Sequence, residues 1–175
     1  MPKVINIVGE RSKVGKTFVI EGLIKELKKR GLTVATIKHD VHGFDIDKKG
    51  KDTYKHREAG AETVIISSKS RLAVIKELKE ETDLNDIIKL AEDKDIVLVE
   101  GYKNSNLRKI EVYRNKVSSK VISPKDKLIA VASDVKLNLD GVLIVDKENF
   151  KALADLIEKE KEFEFGGWKW SHLYL

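Results

Sequence analysis

The segment Gly9-Glu10-Arg11-Ser12-Lys13-Val14-Gly15-Lys16-Thr17 constrains this chain more than any other, because of what flanks it. Before it, Lys3 to Val8 is a β-branched run that ends at a glycine and reads as a buried strand. After it, Ile20, Leu23, Ile24 and Leu27 recur at helical spacing between Lys16 and Arg30, and Gly31 follows as a stop signal. A glycine-rich loop between a strand and a helix turns its backbone N–H groups inward as an anion nest, to which the helix N-terminus adds its positive dipole. In that frame Gly9, Ser12, Lys13, Val14 and Gly15 form a phosphate cradle, Lys16 reaches the β- and γ-phosphates, and Thr17 holds Mg²⁺. The loop reads as a P-loop, and its natural ligand is a nucleoside triphosphate. Such a site also needs a carboxylate at the end of a neighbouring strand to organise metal and water. Glu100, closing the apolar run Ile96-Val97-Leu98-Val99, has that position.

Composition limits the chemistry further. Cysteine is absent, which excludes disulfides, thiolate nucleophiles, zinc ribbons and iron–sulfur clusters and leaves oxygen, nitrogen or a hard metal. Apolar residues at 41% suffice for a core, and 175 residues suit one, so 1–175 reads as a single nucleotide-binding domain with 163–175 as an aromatic tail. The net charge of +5 arises from interleaved signs, which favours an anionic small ligand and argues against nucleic acid. No run of about 18 apolar residues occurs, so no membrane partner is expected and the location is expected to be cytoplasmic.

Beyond the first helix, Thr33 to Lys38 is β-rich, and His39 to Lys51 is a polar stretch of the length that commonly carries function. Asp52 to Ala59 reads as a short helix closed by Gly60, while Thr63 to Ser68 and, less cleanly, Arg71 to Leu78 read as strands. Thr82-Asp83-Leu84-Asn85-Asp86 opens a capped helix, Leu128 to Ala132 and Val142 to Val145 are apolar strands, and Asp146 is expected to cap a last helix through Leu156. Strands alternating with helices imply a three-layer α/β P-loop NTPase fold, a mostly parallel sheet flanked by helices, with an edge hairpin. Lys109 to Arg114 alternates Ile110 and Val112 with charged residues, so it is expected at a sheet edge. There it, or its neighbour Lys116 to Ile122, would pair with a second subunit.

Longer signatures lie outside the loop. Thr36-Ile37-Lys38-His39-Asp40-Val41-His42, Phe44-Asp45-Ile46-Asp47-Lys48-Lys49-Gly50-Lys51-Asp52-Thr53-Tyr54 and Arg57-Glu58-Ala59-Gly60-Ala61 resemble the signature of the molybdopterin-guanine dinucleotide biosynthesis protein B (MobB) family. Val99-Glu100-Gly101-Tyr102-Lys103 and Lys109-Ile110-Glu111-Val112-Tyr113-Arg114 resemble its later motifs. The resemblance implies a homodimeric GTP-binding adapter of molybdenum cofactor synthesis, acting beside the guanylyltransferase MobA, with weak GTP hydrolysis. It also implies a molybdopterin-type cofactor as a ligand and molybdoenzymes as further partners. On their own terms Lys38 and His39 end a parallel strand, where ligands to open α/β sheets gather. Asp45, Asp47 and Asp52 share a loop with Lys48, Lys49 and Lys51, a mixture that suits a polyphosphate with its Mg²⁺ or, equally, a solvated charge-balanced loop. His39 and His42 leave metal delivery open as another use of the same GTPase.

The loop itself departs from the ordinary spacing, since five residues separate Gly9 from Gly15. It resembles the deviant form Gly-x-Lys-Gly-Gly-x-Gly-Lys-Thr of partition and septum-positioning ATPases, whose extra lysine serves a partner subunit's site. Arg11 stands at that lysine's position and is expected to act across the dimer, while Ser12 and Lys13 replace glycines and lose their φ freedom. A small-molecule kinase is the alternative use of such a loop, though no arginine-rich insertion is present to serve as its lid. Asp134, after Leu128 to Val131, is placed either to accept from guanine N1–H and the 2-amino group or simply to close a turn. Phe163, Phe165, Trp168, Trp170 and Tyr174 are expected to cover a pterin or a partner, or to dock the terminus.

Overall fold

The β-branched run, the glycine loop and the amphipathic stretch become β1 (Lys3–Val8), a turn and α1 (Lys16–Lys29), followed by β2 (Val34–Lys38). The order continues with α2 (Asp52–Glu58), β3 (Thr63–Ser67), β4 (Leu72–Lys76), α3 (Leu84–Lys89) and β5 (Ile96–Glu100). It ends with β6 (Arg108–Tyr113), β7 (Leu128–Ser133), β8 (Ile144–Asp146) and α4 (Phe150–Lys159). The computed structural model describes residues 1–165, so Trp168, Trp170 and Tyr174 of the aromatic tail lie outside the described residues. Within it, the Phe163 N–H donates to the Pro2 carbonyl at 2.8 Å, and the Phe163 and Phe165 rings meet edge-on with centroids 5.1 Å apart.

The chain forms two compact units, one of Met1–His39 with the chain from Asn85 onward, the other Asp40–Leu84. The first is a six-stranded sheet in the order β2-β5-β1-β6-β7-β8, with every pairing parallel. Period-two alternation sends Ile5, Ile7, Ile96, Leu98, Ile110, Val112, Ala130 and Ala132 to one face, where they pack on Val19, Leu23 and Leu27 of α1 and Leu153, Ala154 and Ile157 of α4. Each large side chain so buried contributes about 1.5–3 kcal/mol, which makes this face the main source of stability. Gly22 permits the close approach of the two helices, because a Cβ there would lie 2.2 Å from the Phe150 ring. The chain after β8 turns before α4 begins: Asp146 Oδ1 accepts from the Glu148 N–H at 2.8 Å, and Asn149 rather than Asp146 caps the helix by accepting from the Ala152 N–H at 3.1 Å.

The opposite face of the same sheet buries polar groups, among them Asn6, Lys109, Glu111 and Ser133. This corrects the expectation for Lys109 to Arg114. That segment is β6, an interior strand between β1 and β7, and not an edge. Its charged residues alternate with apolar ones because local backbone satisfies them out of water: Lys109 Nζ donates to the Ser105 carbonyl at 2.8 Å, and the Glu111 carboxylate accepts from the Ile122 and Ser123 N–H groups at 2.9 and 2.8 Å. Lys116 to Ile122 forms no strand and belongs to the loop that covers Glu111.

In the second unit β3 and β4 form a separate antiparallel hairpin, so the expected hairpin exists but is not an edge of the main sheet. Gly60, with φ of 102°, ends α2 as its N–H donates to the Arg57 carbonyl. Register places Ile65, Leu72 and Val74 on one face of the hairpin, where they are 62%, 65% and 40% exposed.

Candidate nucleotide-binding site

Gly9 is required by contact rather than by its φ: a Cβ there would lie 2.5 Å from Val14 Cγ2, and Val14 is fully buried beneath the loop. Lys13, standing where the deviant loop has glycine, takes a left-handed φ of 65°, at a cost of about 1–2 kcal/mol. The neighbouring chain offsets that strain. Ser119 donates its N–H at 2.5 Å and its hydroxyl to the Glu10 carboxylate, Lys103 Nζ donates to the Glu10 carbonyl at 2.8 Å, and Arg114 donates to the Lys13 carbonyl at 3.4 Å. The Ser119 hydroxyl and N–H, outweighing burial, lower the Glu10 carboxyl to about 2. The loop is thus held by side chains from the segments after β5 and β6 instead of by the usual glycines.

Gly15, with φ of 106°, opens α1, and the helix has neither a side-chain cap nor an acid in its first turn. Its free N–H groups and dipole face outward beside the exposed Thr17. Lys16 Nζ stands 3.9 Å from Glu100 Oε1, with both side chains less than a fifth exposed. Burial lowers the Lys16 pKa first; Glu100 opposes this, and the nearby positive charges of Lys103 and Lys38 add to it. An anion beside these lysines would recover much of that desolvation cost. Thr17 and Glu100 supply the hydroxyl and carboxylate oxygens that Mg²⁺ takes alongside phosphates and water, and the residues fit that ion.

The ends of β2 and β5 are locked together. The His39 N–H donates to the Glu100 carbonyl at 2.9 Å, the His39 and Tyr102 rings stack at 4.2 Å, and Gly101, with φ of 96°, avoids a Cβ that would lie 2.9 Å from His39 Cβ. Asn6 holds the following turn, its amide donating to the Tyr102 carbonyl and the Ser105 hydroxyl at 3.0 Å each.

The structure therefore gathers Lys16, Thr17, Lys38, His39 and Glu100 around the loop. It adds Lys103, which sequence reasoning missed although it lies just beyond the Glu100-Gly101 turn. Arg11 is 58% exposed and pairs with Glu10 at 3.2 Å. Asp134 follows the last residue of β7, and there Oδ1 accepts from the Asn115 N–H at 2.9 Å and Oδ2 lies 3.9 Å from Lys147 Nζ. Asp45, Asp47, Lys51 and Asp52 belong to the second unit. There Arg57 gathers Asp45 at 3.3 Å, Asp47 at 3.2 Å and Glu77 at 2.8 Å, and Thr53 donates to Asp47 at 2.8 Å. Asp52 stays exposed in the first turn of α2, and Lys51 is that helix's N-cap. Among the described residues no three or more His, Asp or Glu side chains gather as a metal cluster, and no helix is long and apolar enough to cross a membrane.

A model of molybdopterin guanine dinucleotide synthesis protein B matches residues 4–134. The chain belongs to the MobB family. The molybdopterin-guanine dinucleotide biosynthesis adapter protein of Escherichia coli K12 is 38% identical over 159 residues, covering 83% of this chain and 86% of that one. Its counterpart from Haemophilus influenzae is 34% identical over 146 residues, with 82% of each chain covered. Among solved structures, Bacillus subtilis MobB superposes with a TM-score of 0.72 at 22% identity, covering 91% of this chain and all of its own, which is a likeness of fold. A further MobB crystal structure superposes at 0.66 with 26% identity, covering 89% of this chain and 97% of its own. The family match thus spans the loop, the Lys38-His39 strand end, Glu100 and Asp134.

Proposed function

We propose that this MobB-family chain binds GTP with Mg²⁺ at the P-loop and works as an adapter in forming the guanine dinucleotide of the molybdenum cofactor, beside the guanylyltransferase MobA. The observation that carries this reading is the half-buried Lys16–Glu100 pair at the mouth of the loop, flanked by Lys38 and Lys103. Lys16 binds the β- and γ-phosphates, the loop N–H groups hold their oxygens, and Thr17 with Glu100 would hold the metal, which would draw charge off the γ-phosphoryl group. Glu100 is also the group placed to orient an attacking water. Hydrolysis is weak, consistent with delivery of nucleotide and a molybdopterin-type cofactor rather than rapid turnover. The chain works in the cytoplasm as a homodimer, passing the finished cofactor toward molybdoenzymes.

The apolar hairpin face of Ile65, Leu72 and Val74 is the better candidate for the dimer seam, since β6 is interior. Arg11, exposed at the loop, is the residue proposed to act on the other copy's phosphates. Calorimetric titration with GTP and with ATP, each with Mg²⁺, tests the first step. Binding of GTP together with a faster guanylyltransferase reaction on adding the protein supports the reading; no binding of either nucleotide overturns it.

A further inference from the structure

The P-loop lies between two chemically different banks. On the β5 and β2 side are Glu100, Lys38 and Lys103, the groups that suit phosphate and metal. On the β7 and β8 side the character changes. Phe18, next after Thr17 in the first turn of α1, leaves 46% of its surface in water, although it is a large aromatic in a helix whose neighbours Val19 and Leu23 are fully buried. Its ring rests against Phe150, with centroids 5.6 Å apart, and Lys147 Nζ lies 6.0 Å from its centroid. The same ammonium stands 3.9 Å from Asp134 Oδ2, while Asp134 Oδ1 accepts from the Asn115 N–H at 2.9 Å. The start of α1, the turn after β6 and the ends of β7 and β8 therefore converge on an open aromatic face beside a fixed carboxylate.

Strand spacing places β7 about 10 Å from β1 across the sheet, two strand widths away. A ligand whose phosphates occupy the loop must extend along the carboxyl ends of the strands, and on this side it meets Phe18, Asp134 and Lys147. We infer that these three residues form the base-end subsite of the nucleotide and select guanine, an inference that rests on the P-loop reading above. The purine stacks on the open face of Phe18. Asp134, an acceptor at both oxygens, takes the N1–H and 2-amino protons that guanine presents together. Adenine has a lone pair at N1 and only a C–H at position 2, so it offers no donor there and turns the lone pair toward the carboxylate. Lys147 is a positioning residue: it holds the carboxylate in register through the ion pair and walls the slot with its stem.

Binding of GTP, ATP, ITP, XTP and inorganic tripolyphosphate, each with Mg²⁺, tests this in the wild type and in Asp134→Asn and Phe18→Leu. The wild type should prefer GTP over ITP and ATP by about ten- to a hundredfold, the worth of hydrogen bonds to a charged acceptor. Asp134→Asn can still accept the Asn115 N–H and now donates to the 2-oxo group of xanthine, so the preference should turn from GTP to XTP. Phe18→Leu should weaken every nucleotide about tenfold while leaving tripolyphosphate affinity unchanged. If tripolyphosphate binds but the nucleotides bind alike, or if Asp134→Asn keeps the GTP-to-XTP ratio, the subsite is overturned and the P-loop reading stands. If tripolyphosphate and all nucleotides fail to bind the wild type, both fall together.

Discussion

Lys16 is the charge proposed to meet the triphosphate, and its position beside Glu100 at 3.9 Å, partly out of water, makes that charge costly without an anion. Lys16→Ala should therefore weaken GTP by about a hundredfold or more while leaving the fold intact, because the pair is replaced at a half-open surface rather than in the core. Calorimetry on a variant shown to be folded by circular dichroism measures this, and equal affinity would remove Lys16 from the site. Glu10 makes a second residue-scale prediction. Its carboxyl lies near 2 when folded against an ordinary 4.5, so it contributes stability that is complete above pH 4.5 and is lost as pH falls through that interval. Glu10→Gln should lower the melting temperature at neutral pH and flatten its decline between pH 4.5 and 2 relative to the wild type. A parallel decline in both proteins would show that the Ser119 contacts do not form.

At the scale of elements, β6 shows how a charged strand becomes central. Its Glu111 carboxylate is 1% exposed and terminates two backbone N–H groups of the covering loop, at Ile122 and Ser123. Glu111→Ala orphans both donors and should cost about 2 kcal/mol or more, whereas Glu111→Gln keeps one acceptor and should cost less. Urea unfolding compares the two variants, and equal midpoints would argue that water replaces the carboxylate. The helices α1 and α4 meet at Gly22 for a related reason, since the Phe150 ring occupies the place of a side chain there. The position that looks like a weakness in the α1 sequence is where the second helix docks.

At the scale of the whole molecule, the proposed assembly rests on the hairpin face. Ile65, Leu72 and Val74 lie together and exposed on a two-stranded sheet, a structure that is marginal without further cover. Ile65→Lys combined with Val74→Lys should convert a dimer to a monomer in sedimentation at micromolar concentration. Both substitutions lie on solvent-facing positions, so the α2-facing Val64 packing should survive. A dimer that persists in the double variant would place the seam elsewhere.

The local frame of the candidate site was legible in sequence because it is written in consecutive residues: a β-branched run, a glycine loop and a 3.6-residue period predict β1, the turn and α1. Glu100 was legible for the same reason, as the last residue of an apolar strand. The placing of Lys103, Phe18 and Lys147 beside the loop was not, because it depends on which strand ends lie side by side, and strand order is not encoded in any one segment. Asp45 and Asp47 look like open carboxylates in the sequence, but Arg57 reaches both from the next helix. The largest reversal is β6. Alternating charge implies a wet face only if nothing covers it, and here loop N–H groups and a carbonyl replace water at Glu111 and Lys109. Periodicity thus determined which segments form strand and helix, whereas tertiary structure decided burial and partnership, since hydrogen bonds from distant chain make buried charge affordable.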